Sequence, residues 1–410
     1  MGVSPQPLRP RGSSQVGLKQ FNERVVMQAI RLHGSLPKAD LARLTGLTSQ
    51  TIGLISARLM QAGLLLRESP RRGFIGQPSV PLALNPDGAF GIGIKIGRRT
   101  TDSVLVDLTG QVRKRLIFKY PFPDAEVLLP TVQEHLFSLQ ADLGPNLSRL
   151  VGLGVAAPFQ MGGWHRMLGL STEQSDAWNR IDLAQSVQAM TALPVYFARD
   201  TAAACVAELV QGRGRDLKSF LYLFVDTFVG GGLVLNSQLH SGVHGNAGAV
   251  ASLPLSLASN ATQTRHAEES TEGPEQLISQ ASLWDLEQHF TQAGLDPSAA
   301  YDARAMQGDW KNLTDAWTRS AANALAQCIV SGTAFVDVDA VVIDGSLTPS
   351  LLDALLAQIK VALLRYRWEG LWMPQVHPGV IGTDARALGG ALLSLHANFA
   401  PDSDIILKVA

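Results

Sequence analysis

The chain has 410 residues, 46% of them apolar and 17% charged, which excludes a disordered or low-complexity protein and supplies core for two or three domains. Cys205 and Cys328 stand far apart with no CxxC or Cys/His cluster, against a disulfide framework or a structural zinc site, and no apolar run reaches about 18 residues, so a reducing compartment without membrane spanning is expected. The net charge of −1 hides a split: residues 1–75 hold eleven of the 34 basic side chains but three of the 35 acids, a basic front end on an acidic body, as a polyanion-binding module requires.

Residues 1–16 read as a flexible basic arm, and 17–82 as a winged helix-turn-helix. Phe21, Val25, Val26, Ile30 and Leu32 form a helical stripe closed by Gly34. A short helix follows with Leu41 and Ala42 inward, then a turn at Gly46. A longer helix is capped by Thr48, carries Ile52, Ile55, Leu59 and Met60 at three- and four-residue spacing, and stops at Gly63. The small residue, the glycine and the branched residue at Ala42, Gly46 and Ile52 suit two helices crossing closely at a tight turn. "LLLRESPRRGFIGQPSVPLALN" reads as two short strands around a basic turn, the wing.

The outward N-terminal face of the longer helix presents Ser49, Gln50, Thr51, Gly53, Leu54 and Ser56 to major-groove edges, with Gln50 suited to bidentate adenine contact. Arg58, Arg67, Arg71 and Arg72 are candidates for phosphate or minor-groove contact. The competing reading of each arginine is a solvated surface charge.

From Ala89 onward strands alternate with helices. "FGIGIKIG" and "TDSVLVDLTGQVRKRLIFKY" give a meander, "EVLLPTVQEHLFSLQADL" a helix, "LVGLGVAAP" a strand, and "LPVYFARD" a strand leading into a helix. "SFLYLFVDTFVGGGLVLNSQLHSG" begins a second cycle, again two strands around a glycine turn. The repeated hairpin predicts a duplicated α/β body of two lobes with a cleft between them. "LLDALLAQIKVALLRYRW" is apolar all round and suggests packing between lobes or subunits. "PDAEV" and the acid-rich stretch 268–275 are expected to be loops.

In order, the winged helix, "GQPSVPLALNP", the first hairpin, "GLGVAAP", "LPVYFARD", "DTFVGGGLVLN", "GVHGNAGAV" and "TDARALGGALLSLH" resemble the ROK family of repressors, open reading frames and sugar kinases. The resemblance implies an α/β, actin-like ATPase (ribonuclease H-like) body behind the winged helix. Its first lobe spans 83–200 and is completed by a C-terminal helix at 382–398. Its second lobe, 201–381, carries an oligomerisation surface, and 399–410 form a tail. For members with a winged helix it implies a sugar-responsive transcriptional regulator, a bacterial cytoplasmic homodimer or homotetramer on double-stranded operator DNA.

Departures from the kinase pattern point away from enzyme activity. Lys95 occupies the position of the kinases' metal-organising aspartate, and a lysine can hold phosphate but cannot organise a metal. Phe228 stands in the second glycine loop, where backbone N–H groups must approach phosphate. Ala249 replaces a sugar-binding glutamate, and Ser252 stands at the zinc motif's histidine with no cysteine near it; His266 is a lone histidine. Neither zinc, ATP nor magnesium is expected.

Asp200 matches the aspartate that accepts the sugar hydroxyl proton in kinases, so an effector pocket of Arg199, Asp200, His244 and Asn246 is expected for a sugar or anionic sugar derivative. The alternative for Arg199 and Asp200 is a structural ion pair at a helix N-terminus. Two other functions compete: an active sugar kinase that also binds DNA, and a regulator whose body only dimerises.

Overall fold

The computed structural model describes residues 15–69, 80–158, 172–255 and 275–401, with side chains omitted at 172–175. The front end is three helices, α1 (Gln15–His33), α2 (Lys38–Thr45) and α3 (Ser49–Gln61), and an antiparallel pair, β1 (Leu65–Arg67) with β2 (Leu82–Leu84). Gly46 ends α2 at φ 70°, a left-handed turn that a side chain would strain. The Thr48 hydroxyl caps α3 by accepting the Thr51 N–H at 3.2 Å. Val26, Ile30, Leu41, Ile52, Ile55 and Leu59 are buried together, as the three- and four-residue spacing predicts. The first helix begins earlier than its apolar stripe, at Gln15, because Val16 and Leu18 are exposed on it and leave no periodic signal.

The body has two lobes. Lobe 1 contains β3 (Phe90–Ile96), β4 (Thr100–Asp107), β5 (Val112–Lys119), α4 (Ala125–Leu143), β6 (Leu150–Ala157), α5 (Thr172–Asn179), α6 (Leu183–Gln188) and β7 (Val195–Arg199). α7 (Asp200–Gln211) follows. Lobe 2 contains β8 (Phe220–Val225), β9 (Gly230–Leu235), β10 (Gln238–Leu239), α8 (Leu277–Ala281), α9 (Leu283–Gln292), α10 (Gly308–Phe335), β11 (Ala340–Gly345), α11 (Pro349–Leu363) and β12 (Gln375–Pro378). α12 (Ala385–Phe399) closes the described chain. "PDAEV" is not wholly a loop: Asp124 caps α4, which starts at Ala125, because its carboxylate accepts the Glu126 N–H at 3.0 Å.

The two sheets share one plan. Their orders are β5-β4-β3-β6-β7 and β10-β9-β8-β11-β12; in each, an antiparallel meander is followed by two parallel additions. This is the duplicated α/β body that the two glycine hairpins predict.

α12 returns to lobe 1 and packs on α7, β3 and β6. A Cβ on Gly93, Gly154 or Gly389 would strike backbone of α12 or α7. The glycines of "FGIGIKIG" and "GLGVAAP" therefore let a helix lie close on strands, and their spacing reflects packing more than ligand contact.

The front end docks on this body. The Arg24 guanidinium donates to the carbonyls of Ala397 and Ala400, both at 3.1 Å, at the end of α12. Arg215 donates to Leu32 O at 2.6 Å and Arg31 O at 3.3 Å, closing the C-terminus of α1 with a positive charge. The buried clusters of the front end and lobe 1 are continuous.

Candidate functional site

On the winged helix, Ser49 and Gln50 are exposed at the start of α3, Thr51 and Gly53 are half-buried, and Leu54 is 60% exposed. Ser56 is a correction: it is fully buried, because it lies on the same helical face as Ile52, Ile55 and Leu59. Arg58 reaches back to Glu23 at 2.9 Å, so its charge is already met by α1. Arg67 is exposed on β1. Arg71, Arg72, residues 1–14 of the expected arm, Gly76–Pro78, His266, residues 268–274 of the acid-rich stretch and residues 402–410 lie outside the described residues, whereas Gln15 and Val16 of the arm belong to α1.

The second site is a cleft of about 930 Å³ between the lobes. Its walls are the β3–β4 and β8–β9 turns, the start of α7 and the start of α12. Seven basic and four acidic side chains line it.

A cation cluster sits where the two turns converge. Arg386, from α12, pairs with Asp226 at the end of β8 and lies 3.7 Å from Asp200. Its guanidinium also stands over the Phe224 ring, 5.2 Å from the centroid. Burial opposes its charge, but Asp226 and Asp200 raise its pKa. Burial likewise opposes ionisation of Asp226, yet Arg386 and then Lys95 hold that carboxyl below its ordinary range.

Lys95 is 8% exposed. Its ammonium donates to the Thr100 hydroxyl at 2.8 Å and to Thr100 O at 3.3 Å. Burial, then the neighbouring Arg386, lowers it to about 8 against the opposing pull of Asp226, Asp200 and Asp102. A buried ammonium and guanidinium thus share the meeting point of the turns with the carboxylates of Asp226 and Asp200.

The remaining candidates divide. Asp200 begins α7, where its carboxylate accepts the Thr201 N–H at 2.9 Å, and its charge partner is Arg386. Arg199 makes no ion pair with it among the described residues. Instead the Arg199 guanidinium donates to Ala247 O at 2.5 Å and Gly231 O at 3.4 Å, and burial lowers its pKa. Arg199, Asp200 and Asn246 line the cleft, whereas His244 is exposed outside its lining. Phe228, Ala249 and Ser252 line it too.

Three groups were not singled out as site residues from the sequence. Arg99 donates to Glu287 at 3.2 Å, tying lobe 1 to α9. Glu287 also accepts the Tyr301 hydroxyl at 2.6 Å. Arg386 is the third, and its partner Asp226 lies far away in the chain, so no local pattern announces the pair.

Fold and cleft together define a two-lobe protein of the actin-like ATPase class, preceded by three helices and an antiparallel strand pair. The ROK family model matches residues 91–397, and the chain belongs to the ROK family. Among relatives, the xylose repressor of Bacillus subtilis (strain 168) is 24% identical over 240 residues, 58% of this chain and 61% of that protein. The DNA-binding transcriptional dual regulator NagC of Escherichia coli (strain K12) is 21% identical over 257 residues, 59% and 60% of the two chains. The match thus spans about three fifths of the length of these relatives. Among solved structures, a ROK family transcriptional regulator homologous to the E. coli MLC protein superposes with a TM-score of 0.66 at 18% identity, covering 93% of this chain and 97% of that one. A ROK glucokinase from Streptomyces griseus, solved with glucose and AMPPNP, gives 0.58 at 17%, covering 74% and 99%. The superpositions carry the fold.

Proposed function

We propose that this protein is a sugar-responsive transcriptional repressor that reads operator DNA with α3 and its wing and senses a sugar, or an anionic sugar derivative, in the interlobe cleft. The observation that carries it is the union of a docked winged helix with a kinase-like cleft whose turns converge on Arg386 and Lys95. Repressors among its relatives support the same reading. The basic excess of the cleft favours a ligand bearing phosphate or carboxylate. A homodimer or homotetramer in the bacterial cytoplasm suits a palindromic operator. No described helix is long and apolar enough to cross a membrane.

Phosphoryl transfer is not part of the proposal. Arg386 stands 3.7 Å from Asp200, beside the carboxylate that a sugar hydroxyl would need. Genomic footprinting with and without a panel of sugars and sugar acids tests the reading: discrete sites are expected, with occupancy changed by one ligand class. Turnover of any sugar with ATP and magnesium by the purified chain would overturn it in favour of a kinase.

A further inference from the structure

A second pocket, of about 440 Å³, lies away from the cleft at the joint between winged helix and body. One wall is the C-terminus of α1, with Leu32 and His33; the other is the end of α7 and the turn after it, with Arg213 and Arg215. The wall on the body side is held rigidly. Glu208, fully buried, accepts the Arg213 N–H at 2.7 Å with one carboxylate oxygen and the N–H groups of Val380 and Ile381, at 2.6 and 2.9 Å, with the other.

Against that fixed backbone the Arg213 side chain is unused. Its guanidinium makes no hydrogen bond or ion pair among the described residues, and its Nε is enclosed without a partner. An enclosed donor of a charged group left unmet is costly, and a structure keeps few of them without a reason. Among the described residues Arg215 is engaged with main-chain carbonyls of α1 and its charge meets no carboxylate. Asp216 is the one acid in the lining; it is exposed and makes no ion pair among the described residues.

We propose that this joint pocket binds a small dianion, a phosphate or phosphomonoester group, between Arg213 and Arg215 of the body and His33 of the winged helix. A planar guanidinium with a free edge suits a tetrahedral oxyanion, and the pocket is several times larger than the anion's own oxygens require. Because its walls come from both modules, the complete site exists only while the head is docked. Occupancy therefore multiplies the ratio of docked to undocked molecules by 1 + L/Kd, where L is the free ligand concentration. Val380 lines this pocket, whereas Thr383, Asp384 and Arg386 line the cleft, so one short segment touches both. The proposal stands independently of what the cleft binds.

The test is calorimetric titration of the full chain with inorganic phosphate, and in parallel with glucose 6-phosphate, at constant ionic strength. Saturable uptake of inorganic phosphate is expected, weakened about tenfold or more by Arg213→Ala, as loss of a charge-assisted hydrogen bond predicts, and unchanged by Lys114→Ala, which lines neither cavity. The arm with the tighter uptake that Arg213→Ala weakens identifies a free phosphate or a phosphomonoester. No saturable uptake in either arm, or uptake sensitive to Arg99→Ala and indifferent to Arg213→Ala, overturns the site. Hydrogen exchange of the unmodified chain gives a readout that needs no variant: phosphate should slow exchange over residues 31–33 and 212–216, and protection confined to the cleft would sink the proposal.

Discussion

Arg386 shows what a single buried charge does here. Its removal leaves Asp226 enclosed with Lys95, Ser346 and the Thr227 N–H to meet it, and breaking a buried pair by removing one partner costs about 3–5 kcal/mol. Arg386→Ala should therefore lower stability by about 3 kcal/mol in chemical denaturation, and adding Asp226→Asn should recover most of that loss. A double variant no more stable than the single one would show that the pair is not coupled. Asp344 on β11 poses the opposite case. Burial, then the negative field of Glu208, pushes its carboxyl up to about 6, although the Gly345 and Gly382 N–H groups and the Tyr222 hydroxyl bind it. A folded-state pKa raised above the ordinary 3.8 gives stability that is present at low pH and lost as pH rises through about 6. The stake is about 3 kcal/mol. The stability of wild type relative to Asp344→Asn should thus fall by up to that amount between about pH 4 and about pH 8, and a flat difference would remove Asp344 as the cause.

At the level of elements, α3 divides into a core face and a solvent-exposed face on which the proposed reading residues lie. Gln50→Ala should change base preference at one position, whereas Arg67→Ala should weaken binding across all sequences and reduce the salt slope by about one; identical slopes for Arg67→Ala and wild type would take Arg67 off the phosphate list. Most of the architecture was legible because its signals are local. Stripes and a cap define α2 and α3, and glycine-centred hairpins define the duplicated sheets. The signals that failed were of two kinds. α10 runs from Gly308 to Phe335 but buries mainly small or polar positions such as Thr314, Ala321, Ala322 and Thr318, which leave no strong apolar period. Ser56 looked outward by type, although its place in the helical period puts it inward. In the cleft, Asp200 and Lys95 could be found by their position in a pattern. Arg386 and the use of Arg199 as a donor to main-chain carbonyls depend on contacts between distant segments.

In the whole molecule, the reading head is held by main-chain carbonyls at two places. Arg24 grips the end of α12 and Arg215 grips the end of α1. α12 also carries Arg386 into the cleft, so the element that a bound effector would disturb is the one on which the head rests. In the proposed homodimer, that rigidity sets the distance between two recognition helices, which must match about 34 Å or a multiple of it to meet successive turns of one groove. Each arginine contributes roughly 1 kcal/mol of hydrogen bonding, too little to unfold the body but enough to loosen the joint. Arg24→Ala combined with Arg215→Ala should therefore leave denaturation of the body nearly unchanged while relaxing the spacing requirement. Once an operator is mapped, inserting half a helical turn between its half-sites should abolish binding by wild type and reduce binding by the double variant much less. Equal sensitivity of the two proteins to that insertion would mean that the spacing is set by the dimer interface and not by the docking of the head.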